Sequence, residues 1–379
     1  MLRAIVKKKT LLNPLSKIQT VVDRKTTMHL LNNVLIGTED NNIILEATDL
    51  EISYKGIFNA DIRDSGEITV NARRFYEIVR EIPTEEFQIE QLPENWLKIS
   101  FGDKGEYKLG GLSTENFPRF TFFDKTFYLK LDSDDLKDML KRTIVAVSND
   151  ESKYALTGLL IETEKDKGLM RAVGSDSHRL NLKEIKFLDV EMDRDISIIV
   201  PKKAIIEMIK LLEGDDSDST KKDALIYSDD KFLHLSKGQE HLNMRLLDGS
   251  YPDYRLILPS DRIRFSIINR LDMLSVMKRV SIVNPDPEIK SVKMSFSGDR
   301  VIVESLSKES SDAKEILATE YSGEEFEMAI NAKYLIDTLN VMKSEKVKLT
   351  LNDDESPCVI EGDDDPGFLA LIMPMSLEE

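Results

Sequence analysis

Cysteine occurs once in this chain, at Cys358. A single thiol forms no intramolecular disulfide and builds no cysteine-ligated zinc site, and it reads as a small side chain in a strand. Long apolar runs are missing too: the opening MLRAIVKKKTLL is broken by Lys7, Lys8 and Lys9. Neither a secretory signal nor a membrane span is therefore expected, and the reading is cytoplasmic. His29, His234 and His241 show no H-x-x-x-H zinc spacing, and no G-x-x-x-x-G-K-[ST] phosphate loop is present. GDDDPG at Gly362 to Gly367 lacks the full ligand pattern of a calcium loop. DSH at Asp176 to His178 puts an acid and an imidazole too close along the chain to orient one another as a catalytic pair. No catalytic residue, metal or cofactor is expected.

Positive charge is scarce: 52 Lys and Arg against 69 Asp and Glu leave a net charge of -17 over 379 residues. That balance argues against a protein coated in basic patches. Hydrophobic residues at 41% and charged residues at 32% suit ordered cores, and the length calls for two or three domains.

What is present in abundance is repetition. VPKKAIIEMIKLLEG from Val200 has counterparts in VNARRFYEIVREIP from Val70 and INAKYLIDTLNVMK from Ile330. Their apolar positions are Phe75, Ile78, Val79 and Ile82, then Ile205, Met208, Ile209 and Leu212, then Leu335, Leu339 and Met342, with Thr338 the polar exception. Each set follows the i, i+3, i+4, i+7 spacing of a one-sided helix. Residues 75, 205 and 335 stand 130 positions apart. Asn71 and Asn331 read as caps, and Pro201 as a first-turn residue. A second helix leads each unit: LLNPLSKIQTVV from Leu11, LKDMLKRTIVAV from Leu136 and LDMLSVMKRVSIV from Leu271. Hairpin-like pairs follow it in NVLIGTEDNNIILEATD, GLLIETEKDKGLMRAVGSD and VKMSFSGDRVIVESLS, and further strands close each unit. Early strands in RAIVKKK, FYLKLDS and IRFSIIN precede the first helices. The fold class is α+β, with three similar domains that each pack two helices on antiparallel sheets, bounded at 1–126, 127–260 and 261–379.

The six helical segments carry seventeen basic and nine acidic residues, a net +8 that leaves -25 on the remainder. Positive helices on a negative body attract a polyanion to one surface and repel it from the others. Charge alone is equally the signature of solubilised helix faces. Its recurrence in three copies favours the first account.

The threefold repeat, TDLEI at Thr48 to Ile52, SDSHRL at Ser175 to Leu180, DGSYPDYRLILP at Asp248 to Pro259 and MPMSL at Met373 to Leu377 together resemble the bacterial DNA polymerase III beta subunit family, the sliding clamps. The match runs in order along essentially the whole chain. The resemblance implies a DNA clamp fold assembled as a dimeric ring: a head-to-tail homodimer of six similar domains, with twelve helices lining the hole. Helices packed about 8 to 10 Å apart would give a centre line roughly 35 Å across and a hole of about 25 Å, wide enough for a duplex of about 20 Å.

From the resemblance, Arg24, Arg73, Arg74, Lys202 and Lys203 are expected to face DNA, bound through its phosphates without sequence preference. A pocket for short linear motifs of the replicative polymerase, the ATP-dependent clamp loader and repair proteins is implied at Ser175, Ser177, His178, Arg179, Leu180, Pro252, Leu256 and Ile257. Tyr334, Met373, Pro374, Met375 and Leu377 would complete it. The dimer seam is expected to join Tyr107 and Leu109 to Ile282 and Val283. The sequence departs from the family in places: Ser376 and Leu256 stand where Arg is common, Glu378 and Glu379 extend the MPMSL segment, and the loop SNDESKY at Ser148 to Tyr154 is acidic apart from Lys153, where the family has a further DNA contact. The pocket is expected to survive with altered charge preferences. Two other readings compete, an enzyme and a non-DNA scaffold that uses the repeat only as a surface.

Overall fold

The computed structural model describes residues 1–22, 28–122, 128–192, 194–213, 223–229, 231–258, 263–283, 290–306 and 312–376. Among these, six α-helices stand where the repeat puts them: α1 (Lys8–Val21), α2 (Ala72–Glu81), α3 (Ser133–Thr143), α4 (Lys202–Leu212), α5 (Arg270–Val280) and α6 (Ala332–Val341). In the second helix of each repeat Phe75 and Val79, Ile205 and Met208, and Leu335 and Leu339 are turned inward, while Ile78 and Ile209 are half-buried. Removing such stripes from water is what holds short helices that would be marginal alone. Asn71 and Asn331 cap as expected: their side chains accept the amides of Arg74 and Lys333, each at 3.0 Å. Pro201 does not enter a helical turn. It ends the strand Ser197–Pro201 opposite Gly158, and α4 begins one residue later. The leading helices α3 and α5 also stop a turn earlier than the periodicity suggests. Ile144–Ala146 and Ser281–Val283 tighten into 3₁₀ turns, where β-branched side chains disfavour a further α-turn.

Each leading helix follows a strand, Arg3–Lys7, Tyr128–Asp132 or Arg264–Asn269. The first hairpin of each repeat turns through a residue in the left-handed region: Asp40 (φ 49°), Gly168 (φ 65°) and Gly298 (φ 57°).

Two compact units emerge, Met1–Lys137 with Phe187–Arg194 and Lys203–Leu246, and Asp138–Lys186 with Asp195–Lys202 and Leu247–Glu379. The division passes through the middle repeat because sheets continue from one repeat into the next. In the first unit, Glu240–Arg245 pairs antiparallel with Ile52–Asn59, Leu242 opposite Tyr54, within a 14-stranded sheet. In the second, Phe368–Ile372 pairs with Arg179–Lys186, Leu371 opposite Leu180, within a nine-stranded sheet. A separate four-stranded sheet there runs Lys314–Ala318, Arg300–Ser305, Ser291–Ser297, Phe326–Asn331. Cys358 is interior to this unit, and burial pushes its thiol up to about 12, so the side chain is inert packing. No helix among the described residues is long and apolar enough to cross a membrane.

Candidate peptide groove, basic helix faces and open sheet edges

The segment SDSHR turns sharply before its strand. The Ser175 hydroxyl donates to the carbonyl of Arg179 at 2.8 Å, and the Asp176 carboxylate accepts the amides of His178 and Arg179, each at 3.0 Å. Ser177 is thereby held at φ 77°, exposed at the tip. The Arg179 guanidinium donates to Asp176 at 3.0 Å and to Asp337 on α6 at 2.7 Å, and it lies 4.6 Å from the centre of the Tyr334 ring. This double anchoring and the cation–π contact hold Tyr334 upright as a wall.

Leu180 forms the floor. It is buried in a cluster with Leu160, Val173, Ile199, Tyr254 and Leu371. Leu256 and Ile257 project outward, 83% and 42% exposed, and Pro252 is exposed beside them. The near-terminal MPMS is pinned: the Met373 amide donates to the His178 carbonyl and the Met375 amide to the Ala329 carbonyl, both at 2.8 Å. Met373, Pro374 and Met375 are half-buried, and polarisable thioethers suit an adaptable apolar guest. Leu377 lies outside the described residues. Sequence reasoning passed over Tyr251, which packs on the same cluster and whose hydroxyl burial raises well above its ordinary value. The signal was legible in the quoted DGSYPDYRLILP, where Tyr251 precedes Pro252. Lys153, the one cation of the acidic loop, donates to the Asp176 carbonyl at 3.1 Å and so supports this turn.

Arg24 falls among residues 23–27, outside the described residues. Arg73 and Arg74 are exposed on the first turn of α2, Arg73 bonded to Glu77 at 2.9 Å. Lys202 is half-buried and donates to the Val147 carbonyl at 3.0 Å and Asn149 at 2.9 Å. Burial, and then the nearby Arg179 charge, hold its ammonium below the usual lysine range. Lys203 is exposed and paired with Asp49. The helix charge therefore divides. Lys17 and Arg142, counted with the basic excess, are interior, 6% and 2% exposed, and serve packing.

Strand Glu106–Leu112 pairs on one side with Trp96–Ser100, and on the other with Glu67–Asn71 only at Leu112 and Gly111, which leaves 106–110 with an open edge. Tyr107 is exposed there, whereas Leu109 is 6% exposed and packs inward. A cavity of about 640 Å³ lies on the paired side of this strand, lined in part by Ile5, Phe87, Phe101, Asp103 and Glu106. In the second unit Lys314–Ala318 ends its sheet, Ile316 is 59% and Ile282 74% exposed, and Val283 is half-buried. Among the described residues no group of three or more His, Cys, Asp or Glu is placed to hold a metal ion.

Residues 2–121, 130–253 and 255–376 match the family models for the N-terminal, central and C-terminal domains of the DNA polymerase III beta subunit. The beta sliding clamp of Chlamydia trachomatis is 29% identical over 382 residues, covering 100% of this chain and 88% of that protein. The crystal structure of the Bacillus subtilis DNA polymerase sliding clamp superposes with a TM-score of 0.91 at 25% identity over 99% of both chains. The Pseudomonas aeruginosa DNA polymerase III subunit beta, solved with griselimycin bound, gives 0.91 at 26% identity over 99% of this chain and 100% of that one.

Proposed function

The chain belongs to the DNA polymerase III beta subunit family, the beta sliding clamps, and from that premise we propose that two copies close head to tail around duplex DNA. It is a non-catalytic processivity factor of DNA polymerase III, and DNA and a polymerase are its partners. The observation that carries the closed ring is an unfinished series. Repeat joins to repeat through one strand pairing at 240–245 with 52–59 and again at 368–372 with 179–186. The third such pairing would need strands 106–112 and 314–318, and each offers an open edge. A second copy supplies the missing strand on both sides, and a heterologous contact that closes by rotation gives a ring. Exposed Tyr107 and Ile282, with Val283 and the inward Leu109 behind, supply its apolar contact.

In this reading the three domains are 1–126, 127–260 and 261–379, and the protein works in the cytoplasm. Arg24, Arg73, Arg74, Lys202 and Lys203 meet phosphates weakly, so that retention rests on topology and sliding is free. Lys202 and Lys203 must first exchange Asn149 and Asp49 for phosphate. The groove of Arg179, Tyr334, Met373 and their neighbours takes short linear motifs of the polymerase, clamp loader and repair proteins. The test is retention on DNA. After loading by an ATP-dependent loader onto nicked circular DNA, the protein stays bound through gel filtration and is released when the circle is cut once. Equal retention on circular and linear DNA would refute encirclement.

A further inference from the structure

Both repeat-to-repeat joins completed within the chain carry an ion pair between a buried cation of the leading helix and an acid of the following repeat. The leading helices bury Leu11, Leu15 and Ile18 in α1, Leu136, Leu140 and Thr143 in α3, and Met273, Met277 and Val280 in α5, in one common register. Six residues after the first of each set stands a cation: Lys17, Arg142 and Arg279. Lys17 gives its ammonium to both carboxylate oxygens of Glu240 at 2.9 and 2.8 Å, and Arg142 reaches Asp365 at 2.5 Å. In each case the acid belongs to the last hairpin of the following repeat. Glu240 opens the strand Glu240–Arg245, and Asp365 stands three residues before Phe368–Ile372. Those are the strands that pair with the cation's own repeat.

Arg279 interrupts the series. Its side chain is 55% exposed, and it is held by Glu315 at 2.5 Å on the edge strand of its own repeat. The acid that a following repeat would supply is found where the series begins. Asp103 stands three residues before the strand Glu106–Leu112, as Asp365 does before its strand, and it is exposed. Glu106 does not suit the place. Side chains alternate along a strand, so it shares the face of Lys108 opposite the buried Leu109, and it is paired with Lys98 at 3.2 Å.

Resting on the ring reading above, we propose that Arg279 is the third member of this series and that its carboxylate is Asp103 of a second copy. Closing the seam then turns an exposed cation into one flanked by two acids, Glu315 and Asp103, as Arg142 is flanked by Asp138 at 2.7 Å and Asp365. Charge complementarity at this point also fixes the direction of the contact, because the two members lie on opposite ends of the chain.

The experiment is sedimentation equilibrium of the full chain. Arg279→Glu and Asp103→Arg each raise the dimer dissociation constant by at least about tenfold, and the double variant returns it to within about threefold of the original. Purely additive losses, or no loss in either single variant, overturn the pairing. Both residues are exposed in the single chain, so the variants keep their fold. Tyr107→Asp and Ile282→Asp separate the two questions. If these dissociate the dimer while the charge swap is additive, the ion pair is wrong and the seam stands. If the parent chain is monomeric, or no variant of either kind alters the mass, the seam is wrong and the pairing falls with it.

Discussion

At the join in the first unit, Asp49 accepts the amides of Glu51 at 3.0 Å and Ile52 at 2.6 Å, Thr48 donates to the Ile52 carbonyl at 3.0 Å, and Leu50 is forced to φ 78°. At the join in the second unit, Asp176, Ser175 and Ser177 repeat every one of these features, with φ 77° at the tip. The backbone that follows matches too: the Arg245 amide donates to Glu51 at 2.9 Å, and the Met373 amide to His178 at 2.8 Å. The side chains do not match. Where the second join has Tyr334 and Met373, the first has Ala204 and Arg245, the latter facing Glu51 at 3.6 Å. Both joins share the turn and the strand pairing, but of the two only the second has Tyr334 and Met373 at these places. The proposed groove thus depends on a few side chains set on a backbone that both joins share.

Breaking the buried pairs should separate the joins most. Arg142→Ala leaves the fully buried Asp365 carboxylate without its counter-charge, held by the amides of Lys343 and Ser344, and is expected to cost the second unit about 3–5 kcal/mol in urea unfolding. Lys17→Ala should cost less, because Glu240 keeps 18% of its side chain in solvent and still accepts the Tyr54 hydroxyl at 2.6 Å. Equal losses would mean that burial does not distinguish them.

Acid sharpens the same contrast. Burial raises the Asp365 carboxyl, but Arg142 and the amides of Ser344 and Lys343 outweigh it and hold it below the ordinary range. A carboxyl lowered on folding contributes stability that is fully present above the unfolded value, about 3.9, and is lost as pH falls through the folded value. The acid limb of the melting profile should therefore flatten in Asp365→Asn, which also melts earlier at pH 7. A limb as steep as the parent's would discount the pair as its source.

For the groove, Tyr334→Ala should weaken binding of a fluorescein-labelled polymerase motif peptide by about 2 kcal/mol, roughly thirtyfold, in anisotropy. Arg245→Ala at the corresponding place in the first join should leave that binding unchanged. A smaller effect is expected at Thr338, buried in α6 where Ile78 and Met208 stand in the other copies, its hydroxyl with no hydrogen-bond partner among the described residues. Thr338→Val should stabilise the second unit by about 1 kcal/mol in urea unfolding. Smallest of all, Arg74→Ala should leave unfolding within about 0.5 kcal/mol of the parent while lowering the salt slope of DNA binding by about one.

Much of the fold was legible because periodicity and repetition are properties of a line of residues. The i, i+3, i+4 stripes, the caps at Asn71 and Asn331 and the hairpin turns at Asp40, Gly168 and Gly298 depend on near neighbours, and each appears where the sequence puts it. Charge counted along a helix does not tell which cations face outward, since a cation on an amphipathic helix is interior or exposed according to what packs over it. Lys17, Arg142 and Arg279 share one register, and only the hairpin of the next repeat decides which is buried.

By itself, the sequence determined three copies of one α+β unit and the residue types available to each. The three-dimensional structure decided which copies share a sheet, that Arg179 braces Tyr334, and that the segment from Met373 to Met375 is docked. Those outcomes rest on partners more than a hundred positions away, whose contacts cost chain entropy to bring together and leave no local periodic trace.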